Sequence, residues 1–169
     1  MTGHGQPAAF DPLAALTALE RHGVRYVVIG AIAGRLLGSP TVTRDLDICY
    51  ARDDANLEAL ASALGELHAR LRGVREDVPF ILDARTLRAG DSFTFETDAG
   101  DVDILGTPAG THGYEELIRT AEEQELGGLT IRVASIDALI QMKRAAGRPK
   151  DLIEVEVLTA LRDEIDRGL

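Results

Sequence analysis

The sequence predicts an α/β (α+β) fold, a mixed β-sheet flanked by helices. Short apolar strand-like runs alternate with stretches of helical periodicity along the chain. Glycine, proline and aspartate punctuate each change of period. No internal repeat, low-complexity run or linker divides the 169 residues, a length that suits one domain with a real core. Residues 1–10 read as a flexible tail and residues 11–169 as a single domain.

Asp11-Pro12 gives an N-cap followed by proline at the first helical position. That helix turns Leu13, Leu16 and Leu19 inward and stops at Gly23. Arg25–Ile29 is a short apolar strand of central character, and Gly30 turns it into a helix over Ala31–Leu37 that ends at Gly38-Ser39-Pro40. Leu46–Tyr50 is the second strand. Asp53 and Asp54 cap a long helix whose stripe is Leu57, Leu60, Leu64, Leu67 and Leu71, ended by Gly73. Within residues 74–91, Val78–Leu82 reads as either a strand or a buried loop. Ser92–Thr97 and Asp101–Leu105 form a hairpin around Asp98-Ala99-Gly100. Tyr114–Leu126 reads as an amphipathic helix closed by Gly127-Gly128, followed by a strand at Leu129–Val133. Ser135 caps the next helix, Gly147-Arg148-Pro149 breaks the pattern, and Lys150–Arg167 is the last helix.

Composition narrows the function. The formal net charge of −10 opposes loose electrostatic binding to nucleic acid and leaves room only for a local basic site. No apolar run is long enough to span a bilayer, and the N-terminus lacks the basic and apolar segments of a signal peptide. The single cysteine, Cys49, excludes an internal disulfide, so the protein is expected to be cytoplasmic with no membrane partner. Cys49 has no nearby base to activate it and reads as a small packed residue. The four histidines, His4, His22, His68 and His112, are scattered and read as surface or helix-end residues rather than a zinc set.

Two acid-x-acid pairs stand out. Residues two apart on a strand share a face, so Asp45 and Asp47 leave one face of their strand, and Asp101 and Asp103 share a face of theirs. A strand interior disfavours aspartate, and buried charges need partners, so two such strands fit one cation site. The plainer account of either pair is an edge or solvent-facing strand. Magnesium binds carboxylate oxygens together with substrate phosphates, and Asp45, Asp47 and Asp103 would leave that kind of open site. Two metal ions about 3.5–4 Å apart can activate an attacking hydroxyl and stabilise a leaving phosphate.

The Gly30 turn opens a helix whose first N–H groups could hold a phosphate, although it matches no dinucleotide or Walker fingerprint and, taken by itself, reads first as a packing turn. Lys143 and Asp151 lie on or beside helix faces that should be apolar. They are either a structural ion pair or a lysine on a triphosphate with an aspartate that orients it or acts as base. Arg144, Arg148 and Lys150 add positive charge there, the one place where this acidic chain could accept phosphates.

Together these residues resemble the nucleotidyltransferase superfamily typified by DNA polymerase β, and more closely the AbiEii-like and MenT-like nucleotidyltransferase toxins of toxin–antitoxin systems. The segments that carry the resemblance are IGAIAGRLLG, TRDLDI, GDVDILGTPAG and VASIDALIQMKRAAGRPKDLIEVEVL, spanning about residues 24–160. The resemblance implies a minimal nucleotidyltransferase fold, dependence on Mg2+ or Mn2+, and transfer of a nucleoside monophosphate from a nucleoside triphosphate to an acceptor. In the toxins that acceptor is the 3′ end of tRNA, whose blocking stops translation, and a cognate antitoxin protein restrains the enzyme. Carried over by position, Asp45, Asp47 and Asp103 bind metal. Lys143 holds the triphosphate and Asp151 supports catalysis. Gly30, Ala31, Thr43, Arg44 and Arg148 join Lys143 in nucleotide binding. Ala31 stands where the pattern has a second glycine, and Thr41 where an arginine is frequent. Thr43 shares the face of the acidic pair, so its phosphorylation is expected to repel triphosphate and switch the enzyme off. The alternatives are a nucleotidyltransferase for a small molecule such as an aminoglycoside or lincosamide, for which the chain has little extra room, and a non-catalytic antitoxin or binding module of the same fold.

Overall fold

The computed structural model describes residues 6–75 and 77–168; His4 lies outside them. Its elements in chain order are α1 (Pro12–Arg21), β1 (Tyr26–Ile29), α2 (Gly30–Leu36), β2 (Asp45–Tyr50), α3 (Asp54–Glu66), β3 (Arg70–Leu71), α4 (Ala84–Ala89), β4 (Ser92–Thr97), β5 (Gly100–Leu105), α5 (Tyr114–Thr120), β6 (Glu122–Leu126), β7 (Leu129–Val133), α6 (Ile136–Ala146) and α7 (Pro149–Asp166). The strands form one seven-stranded mixed sheet in the order β3-β4-β5-β2-β1-β7-β6. The expected α/β fold is therefore present. β1 is an internal strand buried along its whole length, antiparallel to β2 and parallel to β7.

Alternation along β2 and β5 positions the site. Leu46, Ile48, Val102 and Ile104 are buried on one face, where Leu57, Leu60 and Leu64 of α3 and Leu16 and Leu19 of α1 belong to the same core. Asp45, Asp47, Asp101 and Asp103 occupy the other, partly open face. Asp11 caps α1, Asp53 caps α3 and Ser135 caps α6, each side chain accepting a backbone N–H, as the sequence indicates. Phe10, within the expected tail, packs against Gly100, and Asp11 N donates to Ala99 O at 2.9 Å.

Four readings of the chain are corrected. The helix expected over Tyr114–Leu126 stops at Thr120, and Glu122–Leu126 is strand β6, hairpinned to β7. Gly127 and Gly128 both have positive φ, 55° and 84°, which suits the tight two-residue turn that right-handed strand twist favours. The acidic side chains of β6 then serve an edge strand. Helix α3 ends at Glu66, not Gly73, because His68 adopts φ 52° and redirects the chain so that Leu71 lies in β3. Val78–Leu82 is neither strand nor buried loop; Val78 and Ile81 are exposed, and Asp83 then caps the unexpected helix α4. In the last helix the spacing of Val155, Leu158 and Ile165 predicts one inward face, but Ile165 is exposed.

Candidate active site

Parallel pairing of β2 and β5 sets Asp45 beside Asp101 and Asp47 beside Asp103. Adjacent strands lie about 4.8 Å apart, so the four aspartates form a compact block on the open face. Asp47 and Asp103 are cross-strand neighbours whose like charges oppose one another. Burial, reinforced by the charges of Asp103 and Asp45, pushes Asp47 up to about 7. Burial also raises Asp103, while Arg72 draws it back.

The Gly30 turn closes over this block. Ile29 is the cross-strand neighbour of Asp47, and Gly30 follows with φ +68°. A Cβ at Gly30 would collide with the Asp47 carboxylate. Only a residue without a side chain allows this approach and this φ together, which explains Gly30 more fully than a simple packing turn does. Ala31 is half-buried in the first turn of α2.

Lys143 and Asp151 do come together. Asp151 is fully buried, at 0% exposure. Lys143 Nζ lies 3.5 Å from its Oδ1, and Arg148 makes the closer contacts, Nε to Oδ2 at 2.6 Å and Nη2 to Oδ1 at 3.2 Å. Arg148 N also donates to Asp151 Oδ2 at 3.2 Å, so Asp151 caps the start of α7. The Arg148 hydrogen bond holds the Asp151 carboxyl below the usual range against the opposing effect of burial. The Lys143 charge also acts on Asp47, drawing its carboxyl down against the larger effects that raise it. Arg148 is thus engaged by Asp151 in this conformation. Thr43 Oγ1 accepts from Asp45 N at 3.2 Å, at the edge of the block. Arg44 is exposed and makes no ion pair among the described residues. Cys49 is buried, with its thiol pushed up to about 12 by burial, which leaves it unreactive.

Arg72 is a site residue that the sequence reading does not identify. Its Nη2 donates to Asp103 Oδ1 at 2.7 Å and to Phe95 O at 3.1 Å, and its Nε lies 3.4 Å from Asp101 Oδ2 without aligning as a hydrogen bond. Burial works against its charge, but Asp103, Asp101 and Asp45 together outweigh it and raise it. The signal is the polar–apolar–polar run Arg70-Leu71-Arg72, a period-two pattern hidden because the leucine stripe extends the preceding helix.

Among the described residues, no three His, Cys, Asp or Glu side chains converge into a metal cage. Arg72 engages Asp103 in their place. The donor set nevertheless fits a hard divalent cation. All donors are carboxylate oxygens, burial and the neighbouring carboxylates penalise the Asp47 charge in a way a cation would relieve, and the open face leaves positions for substrate oxygens.

No protein-family model and no curated protein matches the sequence. Solved structures do match its shape. The lincosamide antibiotic adenylyltransferase LnuA, in its lincomycin-bound form, superposes with a TM-score of 0.59 at 14% identity over 89% of this chain and 95% of LnuA. TM1012 of Thermotoga maritima, a candidate nucleotidyltransferase, gives 0.51 at 19% identity over 97% of this chain and 99% of the other. The antibiotic-resistance factor ANT(2'')-Ia gives 0.53 at 16% identity over 93% and 90%. The chain has the fold of these nucleotidyltransferases. Among the described residues, no helix is long and apolar enough to cross a membrane.

Proposed function

We propose that the protein is a nucleotidyltransferase that moves a nucleoside monophosphate from a nucleoside triphosphate to a hydroxyl acceptor, with magnesium or manganese as cofactor. The observation that carries this reading is the aspartate block, in which burial, reinforced by the charges of Asp103 and Asp45, raises Asp47 to about 7 beneath the Gly30 turn. Asp45, Asp47 and Asp103 would hold the metal, which polarises the phosphates and lowers the pKa of the attacking hydroxyl. Lys143, whose charge acts on Asp47 and whose Nζ lies 3.5 Å from Asp151, would bind triphosphate oxygens, with Asp151 and Arg148 fixing its position. Gly30 and Ala31 offer backbone N–H groups, and Thr43 and Arg44 lie along the rim. The acceptor oxygen bonds to the α-phosphorus, the bond to the pyrophosphate oxygen breaks, and the hydroxyl proton passes to a carboxylate of the block.

For the acceptor, the geometry favours a small hydroxylated molecule. This chain covers 95% of LnuA, so the expectation that it has too little room for such a substrate is withdrawn. A second reading keeps the 3′ end of tRNA as acceptor, with the protein acting as a toxin restrained by an antitoxin. It is favoured by the residues that carry the toxin resemblance, Lys143, Arg148 and Asp151, meeting at one point. To decide between them, the protein is incubated with Mg2+, each α-labelled triphosphate, and either lincomycin with an aminoglycoside or total tRNA. Label on a small molecule supports the first reading, label in the tRNA band supports the second, and label on neither with any triphosphate refutes both.

A further inference from the structure

Arg72 reaches the aspartate block from the far side of β4. Its backbone N donates to Thr94 O at 2.9 Å, which holds the chain just past β3 against β4. Thr94 is in turn the cross-strand partner of Asp103. Leu71 pairs with the buried Phe95, so side-chain alternation sends Arg72 to the aspartate face. Strands about 4.8 Å apart make the crossing over β4 about 10 Å, a span that only a long, extended side chain bridges. At its end the guanidinium meets two carboxylates unequally. Nη2 donates to Asp103 Oδ1 at 2.7 Å, whereas Nε lies 3.4 Å from Asp101 Oδ2, is buried and has no acceptor. Among the described residues no other cation pairs with Asp101 or Asp103.

We propose that Arg72 and the divalent cation compete for Asp103, and that Asp101 is the berth onto which Arg72 moves when the cation takes that carboxylate. The proposal rests on the nucleotidyltransferase reading and makes Arg72 a positioning residue that sets the cation affinity of the site. A guanidinium and a metal ion on one carboxylate repel each other. Each therefore weakens the hold of the other on Asp103, and by the same factor. Without a second partner, a displaced Arg72 would be left as a partly buried charge with nothing to pair it. Asp101 prevents this. Its carboxylate already lies within ion-pair distance of the idle Nε, so a small shift toward it satisfies a donor that is otherwise unpaired. The same arrangement accounts for Asp101 itself. It sits between Asp45 and Glu96 in the sheet, where it would add only repulsion if Arg72 were not beside it.

The test uses the full chain freed of metal by chelator, with Mn2+ alone as the probe and free Mn2+ followed by electron paramagnetic resonance. Arg72→Gln should bind Mn2+ at least about tenfold tighter than wild type, and Asp101→Asn about tenfold weaker. In the Arg72→Gln background, Asp101→Asn should cost less than about threefold, because no guanidinium is left to accommodate. A second measurement needs no variant that could misfold. In wild type with isotope-labelled arginine, NMR should show Mg2+ moving the Arg72 Nε–H resonance downfield as that donor gains its acceptor. Arg72→Gln binding Mn2+ no tighter than wild type, equal costs of Asp101→Asn in both backgrounds, or an Arg72 resonance that ignores Mg2+ would each overturn the proposal. Mn2+ affinities as expected, without label transfer from any triphosphate, keep the competition and remove the nucleotidyltransferase reading. Label transfer together with a Mn2+ affinity that Arg72→Gln leaves unchanged keeps that reading and refutes the competition.

Discussion

Asp47→Asn separates stability from function at the proposed site. In the metal-free protein the Asp47 carboxyl is raised from 3.8 to about 7, chiefly by burial and then by Asp103 and Asp45. The folded state holds the proton more tightly than the unfolded state, so stability is fully present below pH 3.8 and is lost as pH rises through about 7. At about 1.36 kcal/mol per pK unit, the penalty is about 1 kcal/mol near pH 4.5 and about 4 kcal/mol near pH 8. Asparagine removes the charge, keeps the volume and carries an amide N–H that can donate to a neighbouring carboxylate. Urea denaturation followed by circular dichroism, in chelator, should show Asp47→Asn more stable than wild type near pH 8 by up to about 4 kcal/mol, with most of the gain gone near pH 4.5. Adding Mg2+ near pH 8 should raise the wild-type midpoint and narrow the gap. A variant no more stable than wild type near pH 8, or a gap that does not change with pH, would refute the crowding of carboxylates on which the site assignment stands.

Other perturbations probe the surrounding parts. Gly30→Ala combines a positive φ with a collision against Asp47, and should cost about 2–4 kcal/mol in denaturation as well as most of the activity; wild-type stability in the Gly30→Ala protein would disprove the close approach. Asp151→Asn keeps an oxygen that can cap α7 but loses the charge-assisted hydrogen bonds to Arg148 and the ion pair with Lys143, an expected loss of about 2 kcal/mol at neutral pH. Because the Asp151 pKa is lowered in the folded state, that loss should fade as pH falls below the carboxylate range, and a calorimetric series checks it. Thr43→Glu sets a negative charge beside Asp45 and should raise the KM for triphosphate at least about tenfold with stability within about 0.5 kcal/mol of wild type. Full activity of that variant would dismiss Thr43 as a phosphorylation switch.

The parts of this molecule governed by local rules were legible in the sequence. Asp11, Asp53 and Ser135 announced their helices because capping is a contact between near neighbours. The shared faces of Asp45 with Asp47 and of Asp101 with Asp103 followed from strand alternation alone. Which strands are adjacent did not follow, and that adjacency is what makes two pairs into one block. Glu122–Leu126 has helical composition, and it is strand pairing through the Gly127-Gly128 turn that overrides it. His68 ended α3 with a left-handed backbone that no propensity signalled, and that hid β3 and Arg72 together. Lys143 and Asp151 were visible as misfits on apolar faces; that Arg148 is the tighter partner of Asp151 needed three dimensions.

The most direct measurement compares a nucleoside triphosphate labelled at the α-phosphate with one labelled at the γ-phosphate, using wild type and Asp47→Ala with Mg2+ and the acceptor mixtures. Nucleotidyl transfer predicts acceptor labelling from the α-label only, release of the γ-label as pyrophosphate, and neither product with Asp47→Ala. Acceptor labelling from the γ-phosphate, or α-label transfer that persists without the Asp47 carboxylate, would contradict the account.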